Sequence, residues 1–447
     1  MKRTNTMVQG PIWKELLLFS IPLILGNLFQ QLYNTVDSII VGNYIGSEAL
    51  AAVGSSGSLI NLLIGFCVGT SAGAGVVISQ CYGAQDSDKI KESVHTTLAI
   101  AVVAGVVMSI MGILLTPAIL RMMGTPVEVL PDSILYLRIY FAGMFFNIIY
   151  NMAAGILNAV GNSKRSLIYL AIAACSNIVL DLIFVVYLGM GVEGVALATD
   201  ISQMISAFFV IRFLIKSKES YHVVLREIRL RKEMALRIIK IGIPTGIQNI
   251  VISFSNVIVQ SSINSFGAYA MAGFAAYIKI DGFNILPVLS FSMAATTFAG
   301  QNIGAGKYDR VKKGMRTSVL MGVLYALGTG FLILCFNAKI LGVFTDNQEV
   351  IGYGVQMMHY FCPFYFVLSA MHILAGTIRG TGKTIQPMLI FLGSLCVFRI
   401  LWIAVTMSIK HDIKYIFMAY PVSWIVGAIV MIWYTCKGKW LKELVKQ

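Results

Sequence analysis

The segment Ser79-Gln80-Cys81-Tyr82-Gly83-Ala84 returns, altered, as Gly300-Gln301-Asn302-Ile303-Gly304-Ala305, 221 residues further along the chain. At the same spacing Gly155-Ile156-Leu157-Asn158-Ala159-Val160-Gly161 falls on Gly376-Thr377-Ile378-Arg379-Gly380-Thr381-Gly382. Glu128 falls on Glu349 and Ala198 on Ala419, and Pro22 meets Pro244 one residue out of step. So constant an offset across half the chain marks an internal duplication.

What is duplicated follows from the runs around these segments. Apolar stretches bounded by charge, Gly or Pro number twelve, at about 14–43, 52–80, 91–117, 133–157, 166–188, 194–215, 236–265, 272–299, 314–336, 351–377, 385–408 and 414–436. Hydrophobic residues make up 57% of the 447 and charged residues 12%. A transmembrane helix takes roughly 20 apolar residues, so this excess suits about a dozen spans. A soluble enzyme is excluded on that balance, and disorder and disulfide scaffolds on sparse charge and chain length. Six spans per repeat bring both repeats in from the same side, related by an axis along the membrane normal. The fold expected is an all-α integral membrane protein with 12 transmembrane helices in two parallel-repeat six-helix lobes around a central cavity. The lobes are placed at 1–222 and 223–447, joined by a basic linker at about 216–233. The segment Met1 to Trp13 is basic and polar, but the apolar stretch after it contains Asn27, Gln30, Gln31, Asn34 and Asp37 and lacks a small-residue cleavage site, so span 1 is read as retained rather than as a signal peptide.

Net charge is +14, and its placement gives it meaning. Of the 34 Lys and Arg, 27 fall on the side of the amino terminus and four (Arg121, Lys339, Lys410, Lys414) on the other. Positive charge gathers in cytoplasmic loops, so both termini are expected in the cytoplasm of a multi-pass protein of the cell inner (plasma) membrane. The basic balance is then a topology signal and implies no nucleic-acid partner. The expected partners are a small organic substrate and membrane lipids, and the chain is read as a monomer. Seven cysteines without a C-x-x-C pair read as reduced, small buried hydrophobes with no metal role.

Four carboxylates lie inside predicted spans: Asp37, Asp181, Asp200 and Asp281. A charge at the bilayer centre costs about 2.5 kcal/mol or more on insertion scales, so each is a functional candidate. At offset 221 the first three map to Ile258, Trp402 and Pro421, which assigns coupling chemistry to the first lobe. Tyr33 with Asp37, and Asn177 with Asp181, are four apart and share a helix face. With Thr199 they make an oxygen-rich set that takes a hard cation or, through its paired carboxylates, a proton. The structural alternative is that these groups only tie helices together through buried amides. Lys279 and Asp281, two apart, face different ways, and Arg399 is the expected partner of Asp281. His95, His359 and His372 read as polar packing or interfacial residues rather than proton relays. Pro22 removes an amide donor from span 1 and makes it bendable. Asn256 and Gln260, with Asp281, are the candidate substrate contacts of the second lobe.

These features resemble the multidrug and toxic compound extrusion (MATE) family across essentially the whole chain. The resemblance is carried by Gly300-Gln301-Asn302-x-Gly304-Ala305-Gly306-Lys307-x-Asp309-Arg310, by its weaker copy around Gln80, by Pro22 with Tyr33 and Asp37, and by Asn177-x-x-x-Asp181. It implies secondary active export of amphipathic, often cationic organic compounds in antiport with Na⁺ or H⁺ by alternating access. It also implies a first-lobe cation site at Tyr33, Asp37, Asn177, Asp181 and Thr199, with Asn151 a weaker match and Asp200 a supporting carboxylate. No organic cofactor is implied. The rival reading is a lipid-linked saccharide flippase of the same superfamily, which would need basic cavity residues for phosphate. Catalysis is the remote alternative: Gly69-Thr70-Ser71-Ala72-Gly73 matches G-x-S-x-G, yet it lies in a small-residue helix with no strand before it.

Overall fold

The computed structural model describes residues 6–438, 440 and 441. Lys2, Arg3, Lys439, Lys442 and Lys446, counted in the charge distribution above, lie outside them. The described residues form helices and turns with no strand. Twelve helices are long and apolar enough to cross a membrane, in agreement with the twelve runs. They are α1 Ile12–Ile45, α2 Ser47–Gly83, α3 Ser87–Met122, α4 Leu130–Ala159, α5 Ser163–Tyr187 and α6 Val192–Lys216 in the first repeat. The second repeat has α7 Lys232–Asn264, α8 Ala268–Gly304, α9 Tyr308–Cys335, α10 Gln348–Gly380, α11 Ile385–Ile409 and α12 Ile413–Lys437.

The chain forms two compact units, Ile21–Ile243 and Met1–Ser20 with Pro244–Gln447. The boundaries therefore fall just before Pro22 and Pro244, inside α1 and α7, and not in the linker near residue 222. Packing explains the shift. In the first unit the beginning of α7 lies so close on α2 that a Cβ at Gly73 would stand 2.4 Å from the Gly242 Cα. Arg237 of the same stretch donates to Gln80 Oε1 at 2.6 Å. The linker is held to α3 as well. Lys91 pairs with Glu227 at 2.7 Å, which keeps the exposed Glu227 carboxyl below the usual range. Arg231 pairs with Glu92, and the Val224 amide donates to His95 Nε2. In the second unit Asn302, Lys307 and Arg310 donate to the backbone carbonyls of Met7, Val8 and Gly10. The Gly-Gln-Asn-x-Gly-Ala-Gly-Lys segment thus anchors the amino-terminal arm, as its copy at Gln80 anchors the start of α7.

The duplication extends to single contacts. Ser71 Oγ donates to the Asn151 carbonyl at 2.8 Å, and Ser292 Oγ, 221 residues on, donates to the His372 carbonyl at 2.7 Å. Gly155 and Gly376 face those two serines at contact distances that a Cβ would violate. The turns closing α2 and α8 are stapled alike, by Asp86 N–H to Cys81 O and Lys307 N–H to Asn302 O. Each has one left-handed residue, Gly306 in the second repeat and Gln85 (φ 57°) in the first. Four cysteines (67, 81, 362 and 396) are buried as expected, whereas Cys175, Cys335 and Cys436 are exposed on spanning helices.

Three interruptions of α-helical winding were not visible in the apolar pattern. A π turn closes α1 at Val41–Ile45, another follows Asp181 at Leu182–Tyr187, and a third at Leu392–Phe398 immediately precedes Arg399. A 3₁₀ turn at Cys362–Phe364, where Pro363 lacks its donor, immediately precedes Tyr365. Such irregular turns mark functional positions in helices, and three of these four abut a buried polar or charged side chain.

Candidate functional site

In the first lobe the π turn ending α1 packs on the π turn that follows Asp181. The carboxyls of Asp37 and Asp181, which precede these two turns, lie close enough to interact with one another. Asn177, one turn before Asp181, is 1% exposed and Asp181 is 0% exposed. Among the described residues, both polar atoms of the Asn177 amide, both oxygens of Asp181 and Oδ1 of Asp37 are buried without a hydrogen-bond partner. An unsatisfied buried polar group costs roughly 1–3 kcal/mol, more if charged, so five together are not tolerable as helix glue. Two carboxylates this close in an apolar setting call for a proton or a metal cation between them. Their hard oxygen donors suit a hard cation such as Na⁺.

Tyr33 is buried one turn before Asp37 and faces it. Tyr136 of α4, which the sequence reading did not single out, sits where it senses Asp37, Asp181 and Asp200 together. Tyr140 stacks on Tyr136 with ring centroids 6.3 Å apart. Their four-residue spacing was the available signal, hidden among 19 tyrosines. Asp200 lies against α4 so tightly that a Cβ at Gly143 would overlap its carboxyl, at 1.9 Å from Cγ. Among the described residues no three His, Cys, Asp or Glu side chains come together as metal ligands, so the cluster is one of two carboxylates with an amide. Thr199 is buried on α6, which packs along α5. Asn151 donates to Asn147, within its own helix. Pro22 lies within α1 at the first residues of its unit.

The second lobe differs in kind. The expected Asp281–Arg399 ion pair is not formed. Asp281 instead accepts from the Tyr365 hydroxyl, which is joined to the Tyr277 hydroxyl. Trp424 stacks on Tyr365 at 5.9 Å. Arg399, 2% exposed, donates to Ser423, Ser255 and Asn256 Oδ1, and its guanidinium lies 4.3 Å over the Tyr420 ring. Among the described residues it is a buried cation held by neutral groups. Gln260 donates to Asn264 one turn on. No sequence signal gave the helix rotations that separate Asp281 from Arg399. Two of the histidines are packing groups: His95 has one ring nitrogen at the Lys91 carbonyl and accepts the Val224 amide at the other, and His372 sits edge-on to Phe391, whereas His359 is exposed with Nδ1 at the Val355 carbonyl. Ser71 is likewise committed to a helix contact, donating to the Asn151 carbonyl.

A fold of twelve spanning helices in duplicate, with a carboxylate–amide cluster in one copy, defines an integral membrane protein of the secondary-transporter type. Comparison with known proteins gives the family. The MatE family description matches residues 22–183 and again 244–405. The chain belongs to the MatE family. It is 30% identical over 446 residues to the probable multidrug resistance protein YoeA of Bacillus subtilis (strain 168), covering 96% of this chain and 95% of that protein. A solved multidrug resistance MATE family transporter in an outward-facing conformation superposes with a TM-score of 0.92 at 23% identity, covering 100% of both chains. A transporter of the MOP superfamily from Pyrococcus furiosus Vc1 (DSM3638), whose binding pocket is described as reversed in polarity, gives 0.91 at 23% identity over 97% of each chain. The two matched segments are equal in length and 222 residues apart, one more than the offset read between the motifs. At that register Arg399 stands at the place of Asn177, and Ser255 at the place of Tyr33.

Proposed function

We propose that this protein exports amphipathic, cationic organic compounds in antiport with Na⁺ or H⁺ by alternating access, working as a monomer with both termini in the cytoplasm. The observation that carries the reading is the set of orphaned buried atoms of Asp37, Asn177 and Asp181. A site that must hold either a cation or a proton to be stable is one whose occupancy can be exchanged. With the ion bound its negative charge is neutralised; on release the charge returns and favours a cationic cargo. A membrane potential of 100 mV is worth about 2.3 kcal/mol per charge moved, so one coupled ion sustains a roughly fiftyfold gradient. The relative named for multidrug resistance supports the cargo class. Tyr33 and Thr199 complete the proposed ligand set, with Asp200 and Asn151 supporting it, and Asp281, Asn256 and Gln260 are assigned to the cargo side.

Arg399 is the observation favouring a lipid-linked saccharide flippase, since a buried guanidinium suits phosphate. Its donors are already engaged by Ser255, Asn256 and Ser423, and it does not outweigh the carboxylate cluster. Uptake by proteoliposomes under separately imposed Na⁺ and pH gradients tests the reading. Accumulation of a cationic dye driven by either gradient supports it, and transport of an anionic lipid-linked saccharide without dye accumulation would replace it with the flippase.

A further inference from the structure

Between α4 and α6 the surface of the first lobe opens into a groove of about 440 Å³. Phe146 and Ile149 of α4 and Met204, Phe208 and Ile211 of α6 wall it. Phe208 is 60% exposed and Met204 41%, so the groove faces away from the lobe's core. From Met204 to Lys216 the helix rises about 18 Å, close to the roughly 15 Å of one leaflet's hydrocarbon. Spread along that length, 440 Å³ gives a slot about 5 Å on a side. A hydrocarbon chain fits such a slot, whereas a helix about 10–12 Å across does not.

The groove ends at Arg212 and Lys216, the two polar side chains of its lining. They are four apart and share a face, so their charges repel. Among the described residues neither has a carboxylate or a hydrogen-bond partner. The second repeat handles the corresponding place differently. At offset 221, Trp433 replaces Arg212 and Lys437 replaces Lys216, with the Lys437 ammonium 3.7 Å over the Trp433 ring. There the cation is already engaged within the protein; in the first repeat two cations wait at the mouth of an apolar slot.

We propose that the α4–α6 groove binds an anionic phospholipid of the leaflet on the Lys216 side, an acyl chain lying along Met204 and Phe208 and the phosphate between Arg212 and Lys216. A zwitterionic headgroup would add an ammonium to two unbalanced cations, so a net negative headgroup is preferred.

The test uses the full chain purified in detergent, titrated with dioleoyl phosphatidylglycerol or dioleoyl phosphatidylcholine, with retained lipid counted by native mass spectrometry. At about fivefold per basic residue near an anionic surface, the phosphatidylglycerol preference is expected to be roughly thirtyfold. Arg212→Gln with Lys216→Gln should remove that preference, and Lys437→Gln should leave it. Met204→Trp, which blocks the slot and keeps both cations, should cut phosphatidylglycerol retention at least about fourfold, the worth of one buried methylene. Equal retention of the two lipids by the unmodified chain overturns the proposal, as does a preference that survives the double substitution. Retention unchanged by Met204→Trp, or displacement of the lipid by glycerol 3-phosphate, would mean that the headgroup binds without the groove and also overturns it.

Discussion

Asn177 and Arg399 stand at matching places in the two repeats, and under the proposed exchange the difference between them divides the work of the lobes. In the first lobe an amide joins two carboxylates, and the positive charge they need must come from outside. In the second, where neither carboxylate has a counterpart, a guanidinium is built into the chain and hydrogen-bonded to Ser255 at the place of Tyr33. Asp37→Asn and Asp181→Asn are each expected to abolish ion-driven accumulation in proteoliposomes while dye binding persists; accumulation against a gradient by Asp37→Asn would remove coupling from this lobe. Asn177→Arg goes further by giving the first lobe its own cation. Its guanidinium balances the carboxylates, so the variant should fold, bind dye and show no dependence on Na⁺ or pH gradients, and retained dependence would contradict the exchange. Asp37, Asn177 and Asp181 were legible in the sequence because a charge in an apolar run is costly and spacing of four defines a face. Tyr136, Tyr277 and Tyr365 were not, since a tyrosine in a span is apolar enough to face lipid. The partner of Asp281 was misread because the π turn at Leu392–Phe398 departs from 3.6 residues per turn just before Arg399, and each residue of register turns a helix face by about 100°.

The helices themselves were read correctly from apolar runs and charge breaks, since membrane thickness fixes the needed length. Their irregular turns depend on packing partners and left no compositional trace apart from Pro363. Turn chemistry gives the sharpest forecast for an element. Gln85 takes the left-handed conformation that its repeat counterpart fills with Gly306. Left-handed geometry costs a non-glycine residue roughly 1–2 kcal/mol, and glycine gives back about 0.5–1 in chain entropy. Gln85→Gly should therefore stabilise the protein by about 0.5–1 kcal/mol, seen as a raised melting temperature in detergent. A lowered one would mean that the Gln85 side chain contributes more than its backbone costs.

For the whole molecule the duplication was legible and its boundary was not. Offsets between motifs locate a repeat, but only packing shows that the beginnings of α1 and α7 belong to the opposite unit from the remainder of each helix. Orientation is the forecast proper to this scale. In a background with the exposed Cys175, Cys335 and Cys436 changed to Ser, Lys232→Cys should react with an impermeant maleimide only from the cytoplasmic side. Glu193→Cys should react only from the outside, and the reverse pattern would invert the topology.

The anchoring of the amino-terminal arm also sets an order of events during synthesis. The carbonyls of Met7, Val8 and Gly10 wait for donors at Asn302, Lys307 and Arg310, about 300 residues downstream. At roughly 5–20 residues per second, the ribosome takes about 15–60 s to deliver those donors. For that interval this arm lacks the donors it docks on, and the contacts it then makes close a loop of about 300 residues, two-thirds of the chain. The Met7 to Gly10 stretch can therefore dock only once the end of α8 and the start of α9 have been made, which makes its anchoring a late step in the assembly of the duplicated protein.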